Sequence, residues 1–229
     1  MTSMNKTFGI KACILCNALF LVNAHAGVVI GATRVIYNAG DKDTAISINN
    51  PDHVPYLIQT WVDKLDGNKN NIPFIVTPPL YRLNGGKQST MRIVYSGTSL
   101  PEDRESLFLL NIKSIPSAPE EDGNVLQVSV KAKMKLLYRP HALKNKSPED
   151  YADQLRWRVT ANKLTVDNPT PFYMNFGEVN VGHQKVKKAS FVAPYSNAEF
   201  PLTSVESGAV TFNVINDYGG MSKEFRVAN

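Results

Sequence analysis

From Val28 onward, apolar residues come in short runs, and no long segment repeats near 3.6 residues. Residues 28–37 are rich in β-branched side chains. Thr44, Ile46 and Ile48 alternate with polar neighbours, and residues 56–63, 90–95 and 107–113 mix aromatic and β-branched types. These patterns predict half-buried strands. Turn-forming clusters separate them at 49–52, 66–68, 84–86 and 121–123. The near-regular spacing of short strands predicts an all-β sandwich. Residues 140–150 read as a linker, and Ser147 before Pro148 suits the start of a short helical turn over 148–154. Further strand-like runs follow at 155–160, 164–166, 172–176, 191–193, 210–215 and 225–227. The expected organisation is therefore one β domain over 27–139 and a linker with a second β domain over 140–229.

One segment departs from ordinary strand length. Leu126, Val128, Val130, Ala132, Met134 and Leu136 are separated by Gln127, Ser129, Lys131, Lys133 and Lys135. The strict alternation predicts a strand of about 36 Å, against five or six residues for most strands. It reads either as a long half-buried core strand or as an exposed edge that offers alternate apolar side chains to another chain. In the second case the lysines would also guard the edge against random pairing.

The amino terminus changes the chemistry that is available. Lys6 and Lys11 precede an apolar run at 12–22, and Ala24-His25-Ala26 follows as a small-x-small cleavage pattern. The run falls short of the roughly 20 residues of a membrane span. Residues 1–26 are thus expected to be a secretory leader cleaved after Ala26, leaving no membrane-inserted segment. Both cysteines, Cys13 and Cys16, lie inside this leader. The mature chain then has no thiol, which excludes a disulfide scaffold, a cysteine enzyme and a thiolate metal site.

Little catalytic chemistry is left. Beyond the leader only His53, His141 and His183 remain, with no metal-ligand spacing, nucleophile elbow or phosphate loop among them. No metal or cofactor is expected. The formal charge of +5 is too small and too scattered to suggest nucleic acid. The pattern reads as a binding protein. Arg34 interrupts an otherwise apolar run, so its guanidinium faces solvent, pairs with an acid, or awaits an anionic ligand.

Several ordered motifs resemble the periplasmic pilus-assembly chaperones of the PapD type. They are Leu100-Pro101-Glu102-Asp103-Arg104-Glu105-Ser106-Leu107, continuing to Asn111-Ile112 and Ile115-Pro116, then Asn124-Val125-Leu126-Gln127 and Lys135-Leu136-Leu137-Tyr138-Arg139-Pro140. Asn168-Pro169-Thr170-Pro171 and Ile215-Asn216-Asp217-Tyr218-Gly219-Gly220 complete the set. Leu109 departs from it, since the family usually has an aromatic residue there.

The resemblance implies two immunoglobulin-like β-sandwich domains in an L-shape. It implies that Arg34 and Lys135 anchor the C-terminal carboxylate of a pilus subunit. Leu126, Val128, Val130 and Ala132 would be lent to that subunit's incomplete sandwich, which the chaperone then delivers to an outer-membrane usher. Glu105, Arg139 and Asp217 match an interdomain ionic network, and Thr77-Pro78-Pro79 a turn suited to a cis proline. The connection at 117–123 resembles the family branch with a short loop between the last two strands of the first domain. The segment 55–59 resembles part of an usher-facing surface. Self-pairing of two copies through the exposed strand is compatible with this reading.

Overall fold

The computed structural model describes residues 27–97, 99–117, 126–160, 162–202 and 208–227. The leader at 1–26 and most of the connection at 117–123 lie outside the described residues. The first half contains β1 (Val29–Ile30), β2 (Arg34–Asn38), β3 (Thr44–Asn50), β4 (Tyr56–Asp63), β5 (Phe74–Thr77), β6 (Leu80–Leu83), β7 (Lys87–Tyr95), β8 (Ser106–Pro116) and β9 (Val130–Arg139). They form two facing sheets, ordered β1-β3-β7-β5 and β2-β9-β8-β4-β6. The second half contains β10 (Arg156–Thr160), β11 (Lys163–Asn168), β12 (Met174–Val181), β13 (Gln184–Lys185), β14 (Phe191–Val192), β15 (Ser196–Pro201), β16 (Val210–Val214) and β17 (Phe225–Val227). Its sheets are β10-β11-β15 and β13-β12-β16-β17, with β14 also pairing with β12.

The period-two pattern explains both cores, because alternate residues of each strand face inward. The first core gathers Ile46 and Ile48 of β3, Met91 and Ile93 of β7, Leu110 and Ile112 of β8 and Leu136 of β9. One end of it is aromatic: Tyr95 stacks on Tyr138 at 4.9 Å, and Phe74 meets Phe108 edge-on at 5.1 Å. The second core is separate and centres on Leu164, Val166, Phe172, Met174, Phe176 and Phe212. Trp157 lies 5.2 Å from the Phe176 ring and 5.1 Å from the Phe212 ring.

Two expected strands differ from the structure. The run at 28–37 is two strands in different sheets: β1 pairs with β3, whereas β2 runs parallel to β9 from Arg34↔Lys135 to Asn38↔Arg139. The crossing requires Gly31, where a Cβ would stand 2.1 Å from Ser47 Oγ. The alternating segment at 126–136 enters the ladder only at Val130, opposite Ser114 of β8. Two residues further along β8 lies Pro116, which has no N–H to continue the pairing. Leu126 to Ser129 therefore precede the strand. The turn at Pro148–Gln154 forms as a 3₁₀ helix, and the Ser147 N–H donates to Asp150 Oδ2 at 3.3 Å. The Thr77–Pro78 peptide is cis.

A buried ion cluster joins the halves. Arg139, at the end of β9, donates from Nε and Nη2 to Glu105 Oε1 at 2.9 and 2.8 Å. It also donates from Nη1 and Nη2 to the two Asp217 carboxylate oxygens at 2.5 and 2.8 Å. The Arg139 and Glu105 side chains are 4 % and 0 % exposed, so each depends on the other for compensation. Burial pushes the Glu105 carboxyl up, against the pull of Arg139. The second Glu105 oxygen accepts the Tyr173 N–H at 2.9 Å, and the Glu105 N–H donates to the Pro171 carbonyl at 2.9 Å.

The motifs at 168–171 and 215–220 are the second half's side of this contact. Asn168 is fully buried; its Nδ2 donates to the Phe172 and Ala193 carbonyls and its Oδ1 accepts from the Thr170 N–H and hydroxyl. That network rigidifies the loop that meets Glu105. In the other motif, Asn216 Oδ1 accepts the Tyr218 and Gly220 N–H groups. Gly219, at φ +88°, packs against Thr33, where a Cβ would come within 2.2 Å of the Thr33 hydroxyl oxygen.

Replacing Arg139 by methionine strands the Glu105 carboxylate in a dry site, and should cost about 3–5 kcal/mol in urea denaturation. Adding Glu105→Leu should recover part of that loss. A cost for Arg139→Met under about 1 kcal/mol, the size of an exposed pair, would show that the cluster is not the joint described here.

Candidate functional site

β2 and β9 are neighbours in parallel register, and Arg34 stands directly opposite Lys135. The same rung continues to Leu109 of β8 and Asp63 of β4. Leu109 is thus a half-buried apolar spacer between Lys135 and Asp63. Two like charges at adjacent positions disfavour each other, so their juxtaposition calls for an anionic counterpart. Among the described residues no carboxylate forms an ion pair with either.

Both cations instead reach neutral acceptors on the second half. Arg34 Nη1 donates to the Ile215 carbonyl at 3.2 Å. Lys135 Nζ donates to Asn175 Oδ1 and lies 4.7 Å from the centre of the Phe191 ring. Arg34 Nε is buried with no hydrogen-bond partner. An unanswered buried donor on a guanidinium is costly, and an incoming oxyanion would satisfy it. Burial, then the neighbouring Arg34 charge, brings Lys135 down to about 8. Burial likewise lowers Arg34, opposed by the Asp217 charge.

The alternating segment starts at the far end of β9. Leu126, Val128 and Val130 are 89 %, 62 % and 60 % exposed, whereas Ala132 is half-buried opposite Ile112. Of the two sequence readings, the exposed one describes Leu126 to Val130, and the buried one describes Met134 to Leu137. Among the described residues, β2 covers β9 only from Lys135 onward, so Val130 to Met134 have β8 on one side and an open edge on the other. Gln127 Nε2 donates to the Pro116 carbonyl, tying the segment to the end of β8. A row of apolar side chains on an open edge thus leads directly into the strand that carries Lys135.

The site residues expected from sequence fall into three groups. Arg34 and Lys135 are brought side by side; Glu105, Arg139 and Asp217 form one cluster; and Leu126, Val128, Val130 and Ala132 line one strand and its approach. Sequence reasoning missed Asn175, Ile215 and Phe191, which face the two cations. Ile215 contributes only a carbonyl, which any residue would supply. Asn175 carried a weak signal, a polar residue between Met174 and Phe176 in an apolar run. Of the other sequence features, residues 55–57 line a small apolar cavity with Arg82, Ile115 and Pro116.

Both halves of the chain are similar to known proteins. Residues 27–144 match the N-terminal domain of PapD, described as a pili and flagellar-assembly chaperone, and residues 150–226 match the C-terminal domain of the PapD pili assembly chaperone. Chaperone protein FimC of Escherichia coli strain K12 is 40 % identical over 230 residues, covering 96 % of this chain and 94 % of that protein. Chaperone protein PsaB of Yersinia pestis is also 40 % identical, over 87 % of this chain and 82 % of that one. Among solved structures, the Salmonella enterica complex of SafA pilin with the SafB chaperone matches with a TM-score of 0.81 and 41 % identity, over 89 % of this chain and 96 % of that chain. The E. coli chaperone DraB matches with a TM-score of 0.79 and 41 % identity, over 88 % and 95 %. With two immunoglobulin-like β-sandwiches and both halves matched, the chain belongs to the PapD family of pilus assembly chaperones, which are not enzymes.

Proposed function

We propose that this chaperone holds pilus subunits by two contacts made at once. Arg34 and Lys135 receive a subunit's C-terminal carboxylate, and Leu126, Val128, Val130 and Ala132 are laid as a strand into the subunit's open groove. The observation that carries this reading is the pair of adjacent, partly desolvated cations that, among the described residues, are held by neutral acceptors, with the Arg34 Nε donor unanswered. The pilin bound in the SafA–SafB structure supports a pilus subunit as the partner. The carboxylate fixes the register of the donated strand, because Lys135 and the apolar residues share one strand. Main-chain hydrogen bonds along the open edge give affinity, and the exposed side chains give selectivity.

In this reading the domains meet at 139/140. The leader is removed after Ala26, and the protein works in the periplasm before passing its subunit to an outer-membrane usher. The connection at 117–123 places it in the short-loop branch. Without a subunit, the same apolar edge is open to a second copy, against the repulsion of Lys131 and Lys133.

Arg34→Ala and Lys135→Ala should each weaken capture of a free-acid subunit peptide by about 2–5 kcal/mol, with periplasmic subunit levels falling accordingly. Binding should also depend on pH. The ordinary lysine value is 10.5 and that of Lys135 about 8, so raising the pH through 8 removes the folded protein's proton and its attraction for a carboxylate. Affinity should fall by about tenfold between pH 7 and pH 9.5, and Lys135→Ala should flatten this dependence. Equal subunit levels in both alanine variants would sink the anchor.

Val128→Glu tests the strand. An unpaired carboxylate cannot enter an apolar groove without a large desolvation penalty, so subunit capture should be lost. Thermal stability should be unchanged, since Val128 is 62 % exposed. Retained capture would assign Val128 to solvent.

A further inference from the structure

A single hydrogen-bonded pair of residues in the second domain receives both cations. The Ile215 N–H donates to the Asn175 carbonyl at 2.7 Å, and the Ile215 carbonyl accepts from Arg34. The Asn175 side-chain oxygen accepts from Lys135. Asn175 is 1 % exposed and its amide orientation is constrained. Its Nδ2 donates to the Tyr173 carbonyl at 3.2 Å, which leaves Oδ1 to meet the ammonium. Tyr173 is itself held, through its N–H, by the Glu105 carboxylate. The orientation of one amide is therefore connected to the ion cluster that joins the domains.

The chemistry of that acceptor matters. A primary amide satisfies one ammonium proton without cancelling its charge. A carboxylate of nearly the same size would form an ion pair and neutralise it. Among the described residues no carboxylate pairs with Lys135: Arg34 faces it from β2, Leu109 from β8 and the Phe191 ring from β14. Asp217 lies beyond, attracting Arg34 but bound to Arg139 through both oxygens.

We propose that Asn175 is a positioning residue, whose buried amide holds Lys135 in the interdomain site as a cation without neutralising it, so that its charge stays available to an incoming carboxylate. The inference rests on the anchor reading of Arg34 and Lys135. In it the second domain is an active part of the binding site, because it supplies the neutral seat that the ligand's carboxylate displaces or shares.

The test uses the mature two-domain protein and a synthetic peptide of alternating apolar residues, made with a free C-terminal carboxylate and with a C-terminal amide. Lys135 is titrated by NMR through its ¹³Cε shift. Asn175→Asp, nearly isosteric, should raise the Lys135 midpoint by about one pH unit or more and weaken the free-acid peptide about tenfold. The amide-ended peptide should bind as to wild type. Asn175→Leu should lower the Lys135 midpoint and weaken the free acid at pH 7, with recovery at pH 6; a simple loss of structure would not show that recovery. Should the leucine variant fail to fold, the aspartate variant alone decides. Wild-type behaviour of Asn175→Asp in both the titration and the free-acid binding would overturn the proposal. If wild type itself binds acid and amide equally, the anchor reading falls, and an unmoved Lys135 midpoint would show separately that Asn175 does not control that lysine.

Discussion

A guanidinium that is 4 % exposed cannot rely on water, and Arg139 must be answered by protein on every side. Glu105 comes from the chain just before β8, and Asp217 from the loop after β16. One side chain thus demands a carboxylate from each domain, and the demand is met only when the two sandwiches are seated together. Such clusters add less to stability than their Coulomb energy suggests, because desolvation takes most of it back. Here the cluster fixes an arrangement, since Arg139 ends the strand that also carries Lys135. Seating the domains seats Asn175 and Ile215 against the two cations in the same step.

The two basic centres of this interface are treated in opposite ways. Arg139 is matched by two carboxylates and has no capacity left for a ligand. Arg34 and Lys135, four residues back along the paired strands, meet, among the described residues, a carbonyl, an amide oxygen and an aromatic ring. Burial and then the neighbouring Arg34 charge both lower Lys135, so holding two such cations unneutralised side by side is unfavourable. On the proposed anchor reading, an incoming oxyanion relieves that unfavourable charge, and the relief contributes to affinity.

Much of this was legible in the sequence, for identifiable reasons. Period-two alternation and turn clusters reveal strands wherever one face is buried, so β4 and β17 were read with the bounds the structure shows. β5, β6, β13 and β15 lack that signal: the first two are four-residue strands either side of Pro78-Pro79, β13 is two polar residues, and β15 has one buried apolar residue, Phe200. The split of 28–37 was hidden because both pieces are apolar and only the Gly31–Ser47 contact marks the crossing. Arg34 is visible as a charge in an apolar run, whereas Lys135 is one of three alternating lysines and is singled out only by the resemblance. The acceptors of these cations were not visible, since a backbone carbonyl has no sequence signature and a buried asparagine is recognised only once its partner is placed.

The exposed strand completes the logic. Leu126, Val128 and Val130 present apolar surface that a monomer would normally hide. Ser129, Lys131 and Lys133 alternate with them, and the positive charges oppose pairing between copies of the same edge. That repulsion raises the free energy of an indiscriminate partner without touching the apolar face. On the proposed reading, a partner that brings both a complementary groove and a terminal carboxylate overcomes it, because its carboxylate is drawn to Arg34 and Lys135 at the other end of the same strand. Selectivity then comes from requiring two features at a fixed separation. The rigid ladder from Val130 to Arg139 sets that separation, and Arg139 itself is immobilised by the ion cluster at the domain joint.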